Sequence, residues 1–122
     1  MIKQTNPLSA VSFNDGYVQG IEIKNSKIVQ NVSKPVFFGF KTVGYTHFYR
    51  ASMADVTVDK VIVIPIYNPI DCNYVELRSF RDGASGIYKV VQRQDIFSDR
   101  PPFIRLSLEK VKNNFIDERE NT

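Results

Sequence analysis

The chain of 122 residues has one cysteine, one histidine and no tryptophan. A single thiol, Cys72, excludes an internal disulfide and any metal site built on several cysteines. With His47 as the lone imidazole, neither a two-histidine metal site nor a Ser-His-Asp triad is expected. Long apolar runs are missing too, so no membrane span is expected, and the first seven residues carry no signal-peptide core. Glycine-rich phosphate loops are absent, and the carboxylates are scattered without acid/base spacing. Cys72 has no Cys-x-x-Cys partner and no cationic cluster beside it, which reads as an inert, buried thiol. These absences point away from an enzyme, and no catalytic residue, metal or cofactor is expected.

What is present is strand chemistry. The four β-branched residues Val61 to Ile64 are too short a run for a core helix and suit a strand buried on both faces. Pro65 and Pro69 lack N–H donors, so regular pairing must end near Pro65. Before this stretch, Tyr17 to Lys24 alternates with period two. Asn25-Ser26 then suits a two-residue hairpin turn, and the chain returns from Lys27 to Val32. Ser33-Lys34 ahead of Pro35 marks a bulge or break, after which residues 35–40 continue extended. After it, Val75 and Leu77 point inward against Tyr74, Glu76 and Arg78. Asp82-Gly83 and Gly86 mark a hairpin, followed by a long strand from Ile87 to Phe97 that bends near Gln92–Asp95. From Phe103 to Val111, Ile104, Leu106 and Leu108 alternate with Arg105, Ser107 and Glu109 on the outer face.

About six strands with short turns imply an all-β fold, a small antiparallel β-barrel or closed sandwich, since closure removes exposed edges. Residues 1–16 read as an irregular arm, 17–112 as the barrel domain, and 113–122 as a flexible tail expected to fray. Between Lys41 and Val58 the period of two fails. The spacing of Tyr45, Phe48, Tyr49 and Met53 fits a helix of two to three turns, with Thr46 as N-cap, inside a long inserted loop.

Charge is modestly basic, at +3, with the excess in the first half: seven Lys/Arg against four Asp/Glu in residues 1–60, and nine of each afterwards. This thin spacing reads mainly as solubilising surface. The aromatics are more concentrated. Phe37, Phe38, Phe40, Tyr45, Phe48 and Tyr49 place six of fifteen in thirteen residues. They suit core packing or a surface completed by another chain; the expectation is a mixture, with the phenylalanines in the core and residues 45–53 at a subunit contact.

From Phe38 to Glu109 the chain resembles the head–tail joining proteins of long-tailed siphophages, also called head-closure, stopper or head–tail adaptor proteins. The matching pieces are Phe38-Gly-Phe-Lys-Thr-Val-Gly44, Phe48-Tyr-Arg-Ala51, Val58-Asp-Lys-Val-Ile-Val-Ile-Pro65, Ile70-Asp71, Gly86-Ile-Tyr-Lys-Val-Val-Gln92 and Pro101-Pro-Phe-Ile-Arg-Leu-Ser-Leu-Glu-Lys-Val111. The resemblance implies a ring, typically of twelve copies, in the virion neck beneath the portal or its adaptor. It would assemble in the host cytoplasm, retain packaged DNA and receive the tail through a tail-completion or tail-terminator protein. It also implies that residues 41–58 form the channel loop. On that basis Gly44, Tyr45, Phe48, Tyr49 and Met53 are expected at loop–loop contacts, and Lys41 and Arg50 are candidates to face double-stranded DNA non-specifically. The alternatives are another connector component of the neck or a small OB-like nucleic-acid-binding module.

Overall fold

A computed structural model describes residues 12–41, 58–80, 83–98, 101–112 and 114–119. They form eight strands: β1 (Gly16–Lys24), β2 (Lys27–Asn31), β3 (Val36–Lys41), β4 (Lys60–Pro65), β5 (Tyr74–Ser79), β6 (Gly86–Ile96), β7 (Phe103–Lys110) and β8 (Ile116–Asp117). No helix occurs among the described residues. The helix expected near Thr46 lies outside them, in residues 42–57.

The sheet order is β3-β4-β7-β6-β5-β1-β2-β8, and a further β3–β1 pairing closes six strands into an antiparallel barrel. β3 makes this closure by serving two neighbours in succession. Its first half pairs with β1 (Val36↔Val18, Phe38↔Gly16), and its second half pairs with β4 (Gly39↔Val63, Lys41↔Val61). β2 and β8 are additions outside the ring of six, and β8 runs parallel to β2.

Local chemistry sets the path of the first three strands. Asn25 and Ser26 both hold positive φ, 53° and 62°, the geometry of a tight primed hairpin turn. At the expected break, Ser33 substitutes for a ladder partner: its hydroxyl accepts the Gly20 N–H at 2.8 Å, and its carbonyl accepts Gln19 Nε2 at 2.9 Å. The chain thereby shifts from β2 to β3 along one edge of β1 with the Gly20 and Val32 N–H groups paired. In β6 the register slips between Val90 and Gln92, a bulge that places the bend where polar residues interrupt the strand.

The barrel interior holds Val18, Phe38, Ile62, Ile64, Ile70, Val75, Leu77, Tyr88, Ile104, Leu106 and Leu108, all 2% exposed or less. β4 is covered on both faces as expected, with Val61 to Ile64 at 0–1% exposure. Each such side chain contributes roughly 1.5–3 kcal/mol on leaving water. Tyr88 spends its hydroxyl on the Ala84 carbonyl at 2.7 Å, so its buried oxygen is satisfied.

Three expectations need correction. Ser107, expected outside, is 2% exposed, because β7 lies beside β4 where the outer wall is also covered. Phe37, expected in the core with Phe38, is 59% exposed, because strand alternation turns it to the opposite face. Residues 114–119 of the tail do not fray. β8 pairs with β2, and the Arg119 guanidinium bonds Glu76 at 2.6 Å and Asp117 at 2.7 Å with its side chain only 14% exposed.

Candidate functional site at the root of the inserted segment

Residues 42–57 leave from the end of β3 and return at β4, at the barrel end that also carries the β5–β6 hairpin. Two aspartates fix this root. Asp15, just before β1, donates its N–H to the Phe38 carbonyl at 2.9 Å. Its carboxylate accepts the Phe40 N–H at 2.9 Å, and its carbonyl accepts the Phe80 N–H at 2.9 Å. It thus ties the outgoing strand to β1 and to the end of β5. Asp59 does the same for the return: its N–H donates to Leu108 O at 2.8 Å, and its carboxylate accepts the Lys110 N–H at 2.7 Å. Charged acceptors on backbone donors are among the stronger hydrogen bonds, and they hold both ends of the insertion without side-chain partners that must repack.

Three lysines surround the same region, each with its ammonium near an aromatic ring. Lys60 lies 5.5 Å from the Phe40 centroid, Lys110 lies 5.2 Å from Tyr88, and Lys41 lies 5.5 Å from Phe103. Lys110 also donates to the Ser85 carbonyl at 3.2 Å. At this range a cation gains on the order of 0.5–2 kcal/mol from an aromatic ring, more where the ring is buried, as Tyr88 and Phe103 are. Lys41, a candidate DNA contact, therefore sits at the root with its ammonium turned to Phe103 on the outer wall. The other singled-out residues, Gly44, Tyr45, Phe48, Tyr49, Arg50 and Met53, lie outside the described residues, as does His47.

Gly39 is required beside this root. The Ser12 carbonyl crosses so closely over it that a Cβ at this position would overlap the oxygen. The arm therefore enters the fold pressed against the outer face of β3.

A surface feature that sequence reasoning missed lies at the closing seam. Tyr17, Phe37 and Phe80 on three neighbouring segments meet edge to face, with centroids 6.2 and 6.4 Å apart. Phe37 and Phe80 are more than half exposed. The signal was available: adjacent Phe37 and Phe38 in an extended strand cannot both face inward.

Cys72 is half-buried beside Gly20, and its thiol donates to the Tyr74 carbonyl at 3.3 Å. Burial pushes its pKa up, with the Asp71 charge adding to the shift, so thiolate is disfavoured at neutral pH. Among the described residues no group of three or more His, Cys, Asp or Glu side chains is placed to hold a metal ion.

No family model matches the chain, and neither a curated protein nor a solved structure matches it. The class that the coordinates define is a closed six-stranded antiparallel barrel with two added strands and one long insertion between β3 and β4.

Proposed function

We propose that the chain is a structural protein of a phage neck. It forms a ring of identical copies, twelve by the resemblance, under the portal or adaptor, where it closes the DNA channel after packaging and presents the platform for the tail. The observation that carries this reading is the contrast between a closed, apolar barrel and one long insertion whose two ends are latched by Asp15 and Asp59. A stopper needs such a division, because the frame must persist while another element blocks DNA and later lets it pass. The residue pattern from Phe38 to Glu109, which resembles that family, supports the reading.

In this reading Gly44, Tyr45, Phe48, Tyr49 and Met53 pack between neighbouring insertions around the ring axis. Arg50 contacts phosphate without reading sequence, and Lys41 does so on leaving the Phe103 ring. The chain works by assembly, without catalysis or a cofactor, in the virion neck after assembling in the host cytoplasm. The test is deletion of the gene from the phage or prophage that carries it, with lysates viewed by negative-stain microscopy. Separate tails of normal length beside DNA-depleted heads are expected. Tails of uncontrolled length would assign a terminator role instead, and intact infectious particles would overturn the connector reading.

One observation favours a second reading, a single-strand nucleic-acid module. Exposed Phe37 and the 56%-exposed Arg78 are the ladder partners of Tyr17 on either side, and aromatics beside cations suit base stacking. The edge-to-face packing of Phe80 on Tyr17 and of Phe37 on Phe80 makes the patch less suitable for stacked bases than for a protein contact. Single-stranded DNA binding that falls steeply between low and high salt would favour the module.

A further inference from the structure

A closed barrel has free strand edges only where one strand outruns its neighbour, and β6 outruns β5 furthest. β7 accompanies β6 to Ile96, whereas the β5 register ends at Lys89, and the last backbone bond on that side is Val90 N–H to Asn73 O at 2.8 Å. Among the described residues no strand pairs with the β5-side edge of residues 91–96. Chain segment 70–73 passes alongside and leaves an open cleft of about 220 Å³, lined by Ile70, Cys72, Val90, Gln92 and Arg93 among others. Gln92, one of the lining residues, carries a side-chain oxygen that is buried with no hydrogen-bond partner.

The rim of this cleft is acidic. The Asp71 and Asp95 carboxylates lie 3.7 and 3.5 Å from one guanidinium, that of Arg93, which also donates to the Ile70 carbonyl at 3.0 Å. The Asp71 side chain is 97% exposed and the Asp95 side chain 44%. Two carboxylates sharing one cation leave room for a second cation.

We propose that this edge is a strand-addition site and that its occupant is residues 2–6 of a neighbouring copy of the chain. Strand addition draws on backbone groups for affinity and on flanking side chains for choice of partner. Residues 2–6 read Ile-Lys-Gln-Thr-Asn, with β-branched Ile2 and Thr5, one cation at Lys3, and no carboxylate before Asp15. Pro7 then ends the run that can pair. Lys3 matches the Asp71/Asp95 rim, and N–H donors of the added strand reach the edge carbonyls of β6. The root of the arm is fixed where Ser12 presses on Gly39, and β3 stands three places from β6 in the sheet order. Six residues of linker span at most roughly 20 Å. To serve its own β6 the arm would spend about 14 Å of that reach crossing the outer faces of β4 and β7. The choice of a neighbouring copy rests on the ring reading; the edge and its cleft belong to the single chain.

The test uses full-length chains in a Cys72→Ser background. One differently tagged population carries Thr5→Cys and the other Gln94→Cys, and a short bismaleimide links them. A mixed cross-linked pair is expected, with yield cut about fivefold by Lys3→Glu, the scale of one exposed ion pair. A Phe80→Cys partner population, at the far end of the barrel, should link poorly. Equal linkage to both positions, or none to Gln94→Cys, overturns the site. If a chain carrying both Thr5→Cys and Gln94→Cys links only within itself at every concentration, the neighbouring copy is overturned. Cross-linking with a normal neck in the deletion phage would sink the neck reading alone; a neck defect without cross-linking would sink this inference alone.

Discussion

β4 and the C-terminal strap of residues 114–119 are both single extended passes against the barrel, and they are held in opposite ways. β4 presents four consecutive β-branched residues at 0–1% exposure and is paired on both sides, by β3 and β7. The strap has two paired residues, leaves Ile116 63% exposed, and is held by Arg119 on Glu76 and by Lys27 on Glu118, with Asp117 bracing Arg119 from within the strap. Burial of apolar area barely responds to moderate salt, whereas surface ion pairs are screened within about 8–10 Å. The strap is therefore the part of the fold that conditions can loosen while the barrel stands.

Breaking the wall should give the largest effect. Ile62→Ala removes a fully buried side chain facing Phe40 and Leu106 across the ladder, and should cost about 2–5 kcal/mol, read as a lower denaturation midpoint. Gly39→Ala should cost about 1–3 kcal/mol by forcing the Ser12 carbonyl away from β3, measured the same way. Arg119→Ala leaves Glu76 and Asp117 without their shared cation and should cost about 1–3 kcal/mol. Its distinguishing readout is hydrogen exchange: the Ile116 and Glu118 amides, bonded to Ser26 O and Ile28 O, should lose protection while β4 amides keep theirs. High salt should reproduce part of that loss in the unaltered protein.

Two smaller effects sharpen the contrast. Ser26→Gly removes a side chain from a left-handed position and should stabilise the hairpin by about 0.5–1 kcal/mol in thermal melts. Hydrogen bonds from Arg119 hold the Asp117 carboxyl down at about 2, against an ordinary 3.8. A depressed folded-state pKa stabilises above the unfolded value and loses that contribution as pH falls toward the folded one. Strap protection should therefore be full above pH 4 and decline toward pH 2. Because the Asp117 side chain is 44% exposed, the global effect should stay within a fraction of a kcal/mol.

The wall was legible in the sequence because its signals are local. Runs of β-branched residues, Asn25-Ser26, and the Ser33–Pro35 break each specify geometry within a few positions, and the structure places strands and turns there. The strap was illegible because its signals are distant: nothing near Arg119 announces Glu76, forty-three residues away. Ser107 was misread for the same reason, since alternation reports which residues share a face and not what covers that face. The aromatic seam of Tyr17, Phe37 and Phe80 also depends on closure, which brings β1, β3 and the end of β5 together. Of the candidate site, the latches at Asp15 and Asp59 emerge only from long-range bonds, because short-range sequence around either residue reads as ordinary turn chemistry.

In the neck reading proposed above, the barrel is a frame and the segment carried between β3 and β4 does the work of closure. The most direct test is a phage carrying Phe48→Ala together with Tyr49→Ala, scored for head DNA content and infectivity alongside melting of the purified variant. The expected result is an unchanged melting midpoint and attached tails, with heads that have lost their DNA. Full, infectious heads at wild-type yield would contradict it.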